Sequence, residues 1–274
     1  MNSSSLAVEL RDVHVSVPGV PILQGIDWQV PRGQRVAVLG PNGCGKSTLL
    51  RALTAYGHVT QGSVDVLGER LGETSVHDLR KRLGIVDLSL VRLVEEDMLA
   101  EELVATGLFG HFMTYFDPPT AEQLELARRT MGAIGLQAHC GQLANTLSAG
   151  QLRRTWLARA LIHQPEMLVL DEPTADLDLL ARETLLATLV RLADSRPDLT
   201  ILLVSHHLED LLPGTDQVLL LSRGRPVACG PPAQVLTSEN VSRAFGCPVE
   251  VSQRDGRWHW SVSPRAWEDL LPPA

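Results

Sequence analysis

The chain has 274 residues and a formal net charge of −8. That length can hold one large domain, or a domain with a subdomain, around a real core. The acidic balance argues against a general nucleic-acid binder, which carries a basic surface. No apolar run reaches the roughly 18 residues that span a bilayer, and Met1-Asn2-Ser3-Ser4-Ser5 lacks the basic-then-apolar order of an export signal. Cys44, Cys140, Cys229 and Cys247 form neither a C-x-x-C pair nor a metal-ligand spacing, which fits a reduced, cytoplasmic compartment.

Leu6 to Val30 reads as β-structure. Val8, Leu10, then Val13, Val15 and Val17 alternate with period two, and Pro18-Gly19 marks a turn. Ile22, Leu23, Ile26, Trp28 and Val30 continue the pattern, and Pro31-Arg32-Gly33 turns the chain into an apolar strand, Arg35-Val36-Ala37-Val38-Leu39. A helix is expected from Ser47 through Leu53. Residues 92–160 read as an inserted helical subdomain, too long for an ordinary crossover. Within it Thr120-Ala121-Glu122-Gln123 and Ser148-Ala149-Gly150-Gln151 match the capping-box pattern, which predicts helix starts at Thr120 and Ser148. Met167-Leu168-Val169-Leu170, Thr200-Ile201-Leu202-Leu203-Val204 and Val218-Leu219-Leu220-Leu221 read as buried strands. Residues 233–274 form an extension in which Asp255-Gly256, between Val249/Val251 and Trp258/Trp260/Val262, predicts a hairpin. There is no internal repeat.

Between the Arg35 strand and the next helix stands Gly40-Pro41-Asn42-Gly43-Cys44-Gly45-Lys46-Ser47-Thr48, a phosphate-binding loop. Its glycines let successive N–H groups converge on phosphate oxygens, and the helix N-terminus adds a favourable dipole. Lys46 is placed to reach the β- and γ-phosphates and Ser47 to hold Mg²⁺. The 24 basic residues are arginine except for Lys46 and Lys81. A compact ammonium fits between phosphate oxygens where a planar guanidinium is too bulky. Farther on, Asp171-Glu172 closes the Met167 strand, where an unpaired buried carboxylate would be costly. A Mg²⁺ ion beside Asp171 removes that cost.

Leu147-Ser148-Ala149-Gly150-Gln151 would, alone, be an ordinary capped helix start. Together with Arg154, Ala158-Arg159-Ala160-Leu161, Pro165, the Asp171 strand and the phosphate loop, it makes residues 6–232 resemble the ATP-binding cassette (ABC) ATPases. The resemblance implies an α/β fold: a P-loop NTPase core with an antiparallel β-subdomain and an inserted helical subdomain. It implies a head-to-tail dimer in which ATP and Mg²⁺ lie between one subunit's loop and the other's Ser148 and Gly150. Glu172 then takes the role of general base. Pro173-Thr174-Ala175-Asp176-Leu177-Asp178 resembles the family's D-loop, with Asp178 at the characteristic acidic position and Asp176 where Gly is common. His206 fits the switch histidine that contacts the γ-phosphate, and His207 reads as structural. Ile26-Asp27-Trp28, Val204 to Asp210 and Val235 to Asn240 look more particularly like the molybdenum-transport-type or photorepair-type ATPases, near the metal-chelate importers.

Further departures from the family pattern stand at Ala149, Leu88 and Val17. The signature is usually Leu-Ser-Gly-Gly-Gln, and Ala149 adds a methyl group. Leu88 stands where most relatives have the glutamine that links Mg²⁺ and water to the transmembrane partner. Val17 stands in place of the adenine-stacking aromatic. In addition, Phe109, Phe112, Tyr115 and Phe116 crowd one stretch of a chain with only 4% aromatics. They suit either a partner surface or the helical subdomain's own core.

The resemblance implies the ATP-hydrolysing subunit of an ABC transporter, an importer, bound to transmembrane permease subunits. It would be cytoplasmic and peripheral on the inner face of the cell membrane, with no nucleic acid among its partners. The alternative is a soluble, non-transport ABC ATPase in repair or stress response. A P-loop kinase fits the loop but leaves Ser148 and Asp178 without a role.

Overall fold

A computed structural model of the chain describes residues 5–86, 97–109 and 118–267. In chain order its elements are β1 (Leu6–Val17), β2 (Val20–Pro31), β3 (Arg35–Leu39), α1 (Lys46–Leu53), β4 (Gln61–Val66), β5 (Glu69–Arg70), α2 (Val76–Arg80) and β6 (Leu83–Val86). Then come α3 (Ala100–Ala105), α4 (Ala121–Ala133), α5 (Ala149–Leu161), β7 (Met167–Asp171), α6 (Leu179–Ser195) and β8 (Thr200–Ser205). The chain continues with β9 (Gln217–Ser222), β10 (Arg225–Gly230), α7 (Pro232–Val235), α8 (Ser238–Phe245), β11 (Glu250–Arg254) and β12 (Arg257–Ser261). Leu88, Phe112, Tyr115 and Phe116 lie outside the described residues.

Two compact units form: Met1–Thr74 with Thr200–Ala274, and Ser75–Leu199. The first holds the antiparallel sheet ordered β2-β1-β4-β5. In β2 Ile26, Trp28 and Val30 are buried between exposed Asp27 and Gln29, so the expected period two is the pattern of burial there. In β1 Val8, Leu10, Val13 and Val15 are buried as expected, but Ala7 and Glu9 are buried with them and Val17 is half exposed, so the alternation does not hold along that strand. The same unit holds parallel pairs around β3. Val36, Ala37 and Val38 register with Leu202, Leu203 and Val204 of β8 on one side, and with Gln217, Val218 and Leu219 of β9 on the other. Strands covered on both faces read as unbroken apolar runs, which is why Arg35–Leu39 and Thr200–Ser205 show no alternation. Ala37 and Leu39 share a buried cluster with Val218, Leu220, Val235, Leu236, Val241, Ala244 and Val249, so the chain after β10 packs against the central strand.

In the second unit β6 and β7 run parallel, with Leu83 opposite Met167 and Val86 opposite Leu170. Both capping boxes form at their expected positions. Thr120 and Gln123 exchange bonds of 2.8 and 3.3 Å, and Ser148 and Gln151 do the same at the start of α5. Each box satisfies backbone donors that a helix start otherwise leaves unpaired. Glu101, 6% exposed, is held by a bidentate pair of 2.8 Å bonds from Arg128, which ties α3 to α4. Arg159 of α5 donates to the buried hydroxyl of Thr106 at 2.8 Å and joins the same helical group.

Candidate functional site

β3 and β8 are parallel neighbours, and Leu39 stands opposite Ser205. Their carboxyl ends therefore open on one edge of the unit, where α/β sheets place ligand sites. The next residues are Gly40 on one strand and His206 on the other, so the structure brings the phosphate loop and His206 to the same edge.

The loop's glycines are required by geometry. Gly40 (φ 155°) and Gly45 (φ 109°) lie in backbone conformations that side chains rarely adopt. A Cβ on Gly40 would come 2.3 Å from the carbonyl oxygen of Leu221, and one on Gly45 would come 2.7 Å from Leu23 Cδ2. Gly43 (φ 76°) faces open space, so only its backbone demands glycine. α1 begins at Lys46 with Gly45 as its N-cap, and the Gly45 cap provides no side-chain hydrogen bond. No cap side chain therefore competes for the helix start, the position at which a helix receives an anion. Lys46 is 5% exposed, and its Nζ donates to the carbonyls of Gly40 (2.9 Å) and Pro41 (3.1 Å). The ammonium is thus folded back over the cradle whose phosphate it would meet. Ser47 is exposed, Thr48 half-buried, and Cys44 buried at 3% exposure inside the loop; Pro41 is half-buried and Asn42 exposed.

One contributor escaped the sequence reading. Gly224, in the turn between β9 and β10, donates its N–H to the Cys44 carbonyl at 2.9 Å and accepts from the Gln24 N–H at 2.8 Å. It ties the phosphate loop to β2. Arg223 (φ 48°) and Gly224 (φ 76°) both take positive φ, the type I′ pattern. The Arg-Gly pair between two apolar runs was the available signal.

In the second unit Asp171 ends β7, and Glu172 follows in the left-handed region at φ 45°. A non-glycine residue there is strained, and such strain collects at functional positions. The Glu172 carbonyl accepts from the Ala175 N–H at 3.1 Å, and Arg153 of α5 donates to the Ala175 carbonyl at 2.8 Å, which fixes this turn. Burial pushes the Arg153 guanidinium below its ordinary value, while Asp176 partly opposes that shift. Asp176 has φ 60°, which accounts for a residue type tolerant of the left-handed region where Gly is common. Asp178 caps α6, its Oδ1 accepting from the Ala181 N–H at 2.7 Å.

Gly150 is buried, and a Cβ on it would lie 2.7 Å from Ala181 Cβ. The starts of α5 and α6 therefore touch, and the exposed caps Ser148 and Asp178 lie at neighbouring helix starts. Ala149 is the first residue of α5 and is exposed, so its extra methyl group meets no constraint there. Val17 is 50% exposed at the tip of β1, paired with Val20 across the turn.

A strand-to-helix glycine cradle with a buried lysine, on an α/β sheet edge, defines a P-loop nucleoside triphosphatase. A family model for the ABC transporter matches residues 23–175, and the chain belongs to that family as an ATP-binding, ATP-hydrolysing subunit. Among its relatives, ABC transporter ATP-binding protein YlmA of Bacillus subtilis is 34% identical, covering 90% of this chain and 93% of its own. The ferric enterobactin transport ATP-binding protein FepC of Escherichia coli is 32% identical, covering 82% of each chain. Hemin import ATP-binding protein HmuV of Rhodococcus jostii is 31% identical over 96% of this chain and 88% of its own. A solved chain from a metal-chelate type ABC transporter in an inward-facing conformation superposes with a TM-score of 0.77 at 25% identity. That match covers 97% of this chain and all of the other.

Proposed function

We propose that this chain is the ATPase subunit of an importer, peripheral on the inner face of the cell membrane and bound there to transmembrane permease subunits. It works as a head-to-tail homodimer. The observation that carries the dimer is the pairing of Ser148 and Asp178 caps at touching helix starts, set by the Gly150–Ala181 contact. The exposed start of α5, capped by the neutral Ser148, favours a negative ligand, and the family resemblance makes that ligand the γ-phosphate held by the partner's loop. Import is supported by relatives named for nickel import and hemin import. No described helix is long and apolar enough to cross a membrane.

Within each site Gly40 to Thr48 cradle the triphosphate, Lys46 moves from its carbonyl partners to the β- and γ-phosphates, and His206 contacts the γ-phosphate. The family resemblance gives Mg²⁺ the Ser47 hydroxyl and the Asp171 carboxylate, which are hard oxygens of the type this ion takes beside phosphate and water. Bound there, it neutralises charge on the phosphates. Glu172 accepts the proton of the attacking water.

Isolation of the native complex from membranes, with identification of what accompanies the chain, tests this reading. A polytopic membrane protein in stoichiometric amount is the expected result. A chain recovered from the soluble fraction alone would favour a non-transport ATPase instead.

A further inference from the structure

The segment after β8 carries His206, and β12 lies against it. From within, the segment is closed by Ser205, whose hydroxyl donates to Asp210 at 2.5 Å and accepts from the His207 N–H at 3.0 Å. From the C-terminal side it is held twice. Arg257 donates to the Glu209 carbonyl at 2.8 Å, and the Trp260 ring meets His207 edge-on, with centroids 6.4 Å apart and planes at 88°. His207 in turn lies 4.0 Å from His206, centroid to centroid. His207 is exposed, so the Trp260 edge narrows the rotamers its ring can take, and the His206 ring packs against the ring so placed.

Trp260 is itself well supported. Phe245 of α8 packs on it edge-on at 4.7 Å. β11 is fastened to α8 where Ser238 accepts from the Val251 N–H at 2.9 Å, and Ser242 accepts from the Val249 N–H at 2.8 Å. Val251, Trp258, Trp260 and Val262 pack on the cluster that contains Leu208 and also Leu39, the residue before Gly40. One platform therefore backs the strand that launches the phosphate loop and the turn that carries His206.

We propose that the β11–β12 hairpin is a positioning element of the ATPase centre, in which Trp260, acting through His207 and assisted by Arg257, orients His206 toward the γ-phosphate. The inference rests on the role given to His206 above. Trp260 and Arg257 are positioning residues, since each acts through the His206 segment, by its contacts with His207 and Glu209. Orientation of a group that contacts the transferring phosphate affects the chemical step more than nucleotide affinity, because the triphosphate is held chiefly by the loop.

The test is steady-state ATP hydrolysis by the full-length chain and its variants, with binding of a fluorescent ATP analogue as the check on folding. Trp260→Ala is expected to lower kcat about three- to tenfold with KM within about twofold, and Trp260→Phe to restore most of the loss by supplying an aromatic edge. Trp260→Ala combined with His207→Ala is expected to be no slower than the slower single variant, because both break one chain of contacts. Arg257→Ala is expected to lower kcat in the same sense by a smaller factor. The inference is overturned if Trp260→Ala leaves kcat unchanged while His206→Ala is inactive, or if the two substitutions add. Should Trp260→Ala not fold, unchanged kcat in both Arg257→Ala and His207→Ala overturns it equally. Normal turnover by His206→Ala would remove the role of His206 and the inference with it.

Discussion

Gly224 closes the phosphate loop from outside it: its N–H bonds the Cys44 carbonyl at 2.9 Å. Its φ of 76° is left-handed, and a Cβ on it would lie 2.2 Å from the Ile22 carbonyl oxygen, so no side chain has room there. Gly224→Ala is therefore expected to cost about 1–3 kcal/mol in backbone strain alone and to weaken ATP binding as the loop loses its tie. Calorimetric unfolding and nucleotide titration of the variant check both effects. An unchanged ATP affinity would show that the tie does not shape the cradle.

Glu172→Gln is expected to abolish turnover while leaving ATP binding, since the amide keeps the shape but cannot accept a proton. The ATP-bound variant should accumulate as a dimer on gel filtration. Near-normal turnover would remove Glu172 from the catalytic role.

Composite sites predict complementation. Lys46→Ala and Ser148→Arg should each be nearly inactive alone, the first through its own loop and the second through its partner's. Mixed together they should regain activity, with at most one intact site per dimer. Normal hydrolysis by Ser148→Arg alone would rule out the sandwich.

His163 gives the fold a pH dependence. Burial lowers its imidazole from the ordinary value of 6.5; the hydrogen bond to the Leu83 carbonyl opposes this, and the Arg159 charge adds to it. A carbonyl only accepts, so Nε2 carries the proton in that 3.1 Å bond. Between 6.5 and the lower folded value the unfolded chain binds a proton that the folded chain does not. Stability is full above 6.5 and declines as pH falls through that window. His163→Gln, which keeps a donor for Leu83, should lose less melting temperature than wild type when moved from about pH 7.5 to about pH 5.5. Equal losses would assign the acid sensitivity elsewhere.

Val17, half exposed at its strand tip, offers no ring to a base. Stacking on an aromatic face is worth about 1–3 kcal/mol, and what remains is the triphosphate and Mg²⁺, which ATP and GTP share. GTP is expected to be hydrolysed within about tenfold of ATP in kcat/KM, a gap near 1.4 kcal/mol. Steady-state kinetics with both nucleotides decide this, and a preference for ATP above about a hundredfold would mean that another residue reads the base.

The sequence alone determined the features whose physics is local. Gly40, Gly43 and Gly45 announce backbone angles that few other residues tolerate, and Lys46 follows at the helix start they create. The capping boxes at Thr120 and Ser148 close within four residues, and the alternation from Ile26 to Val30 in β2 states directly which face is buried. Tertiary structure decided what depends on segments distant in sequence. Gly224 reaches Cys44, and Trp260 reaches His207, only because β9 folds beside β3 and α8 carries the hairpin back over that sheet edge. The need for Gly150 but not for glycine at 149 came from Ala181 on another helix. Such contacts leave no periodic or spacing signal, because each residue meets a partner whose position is set by how whole elements pack.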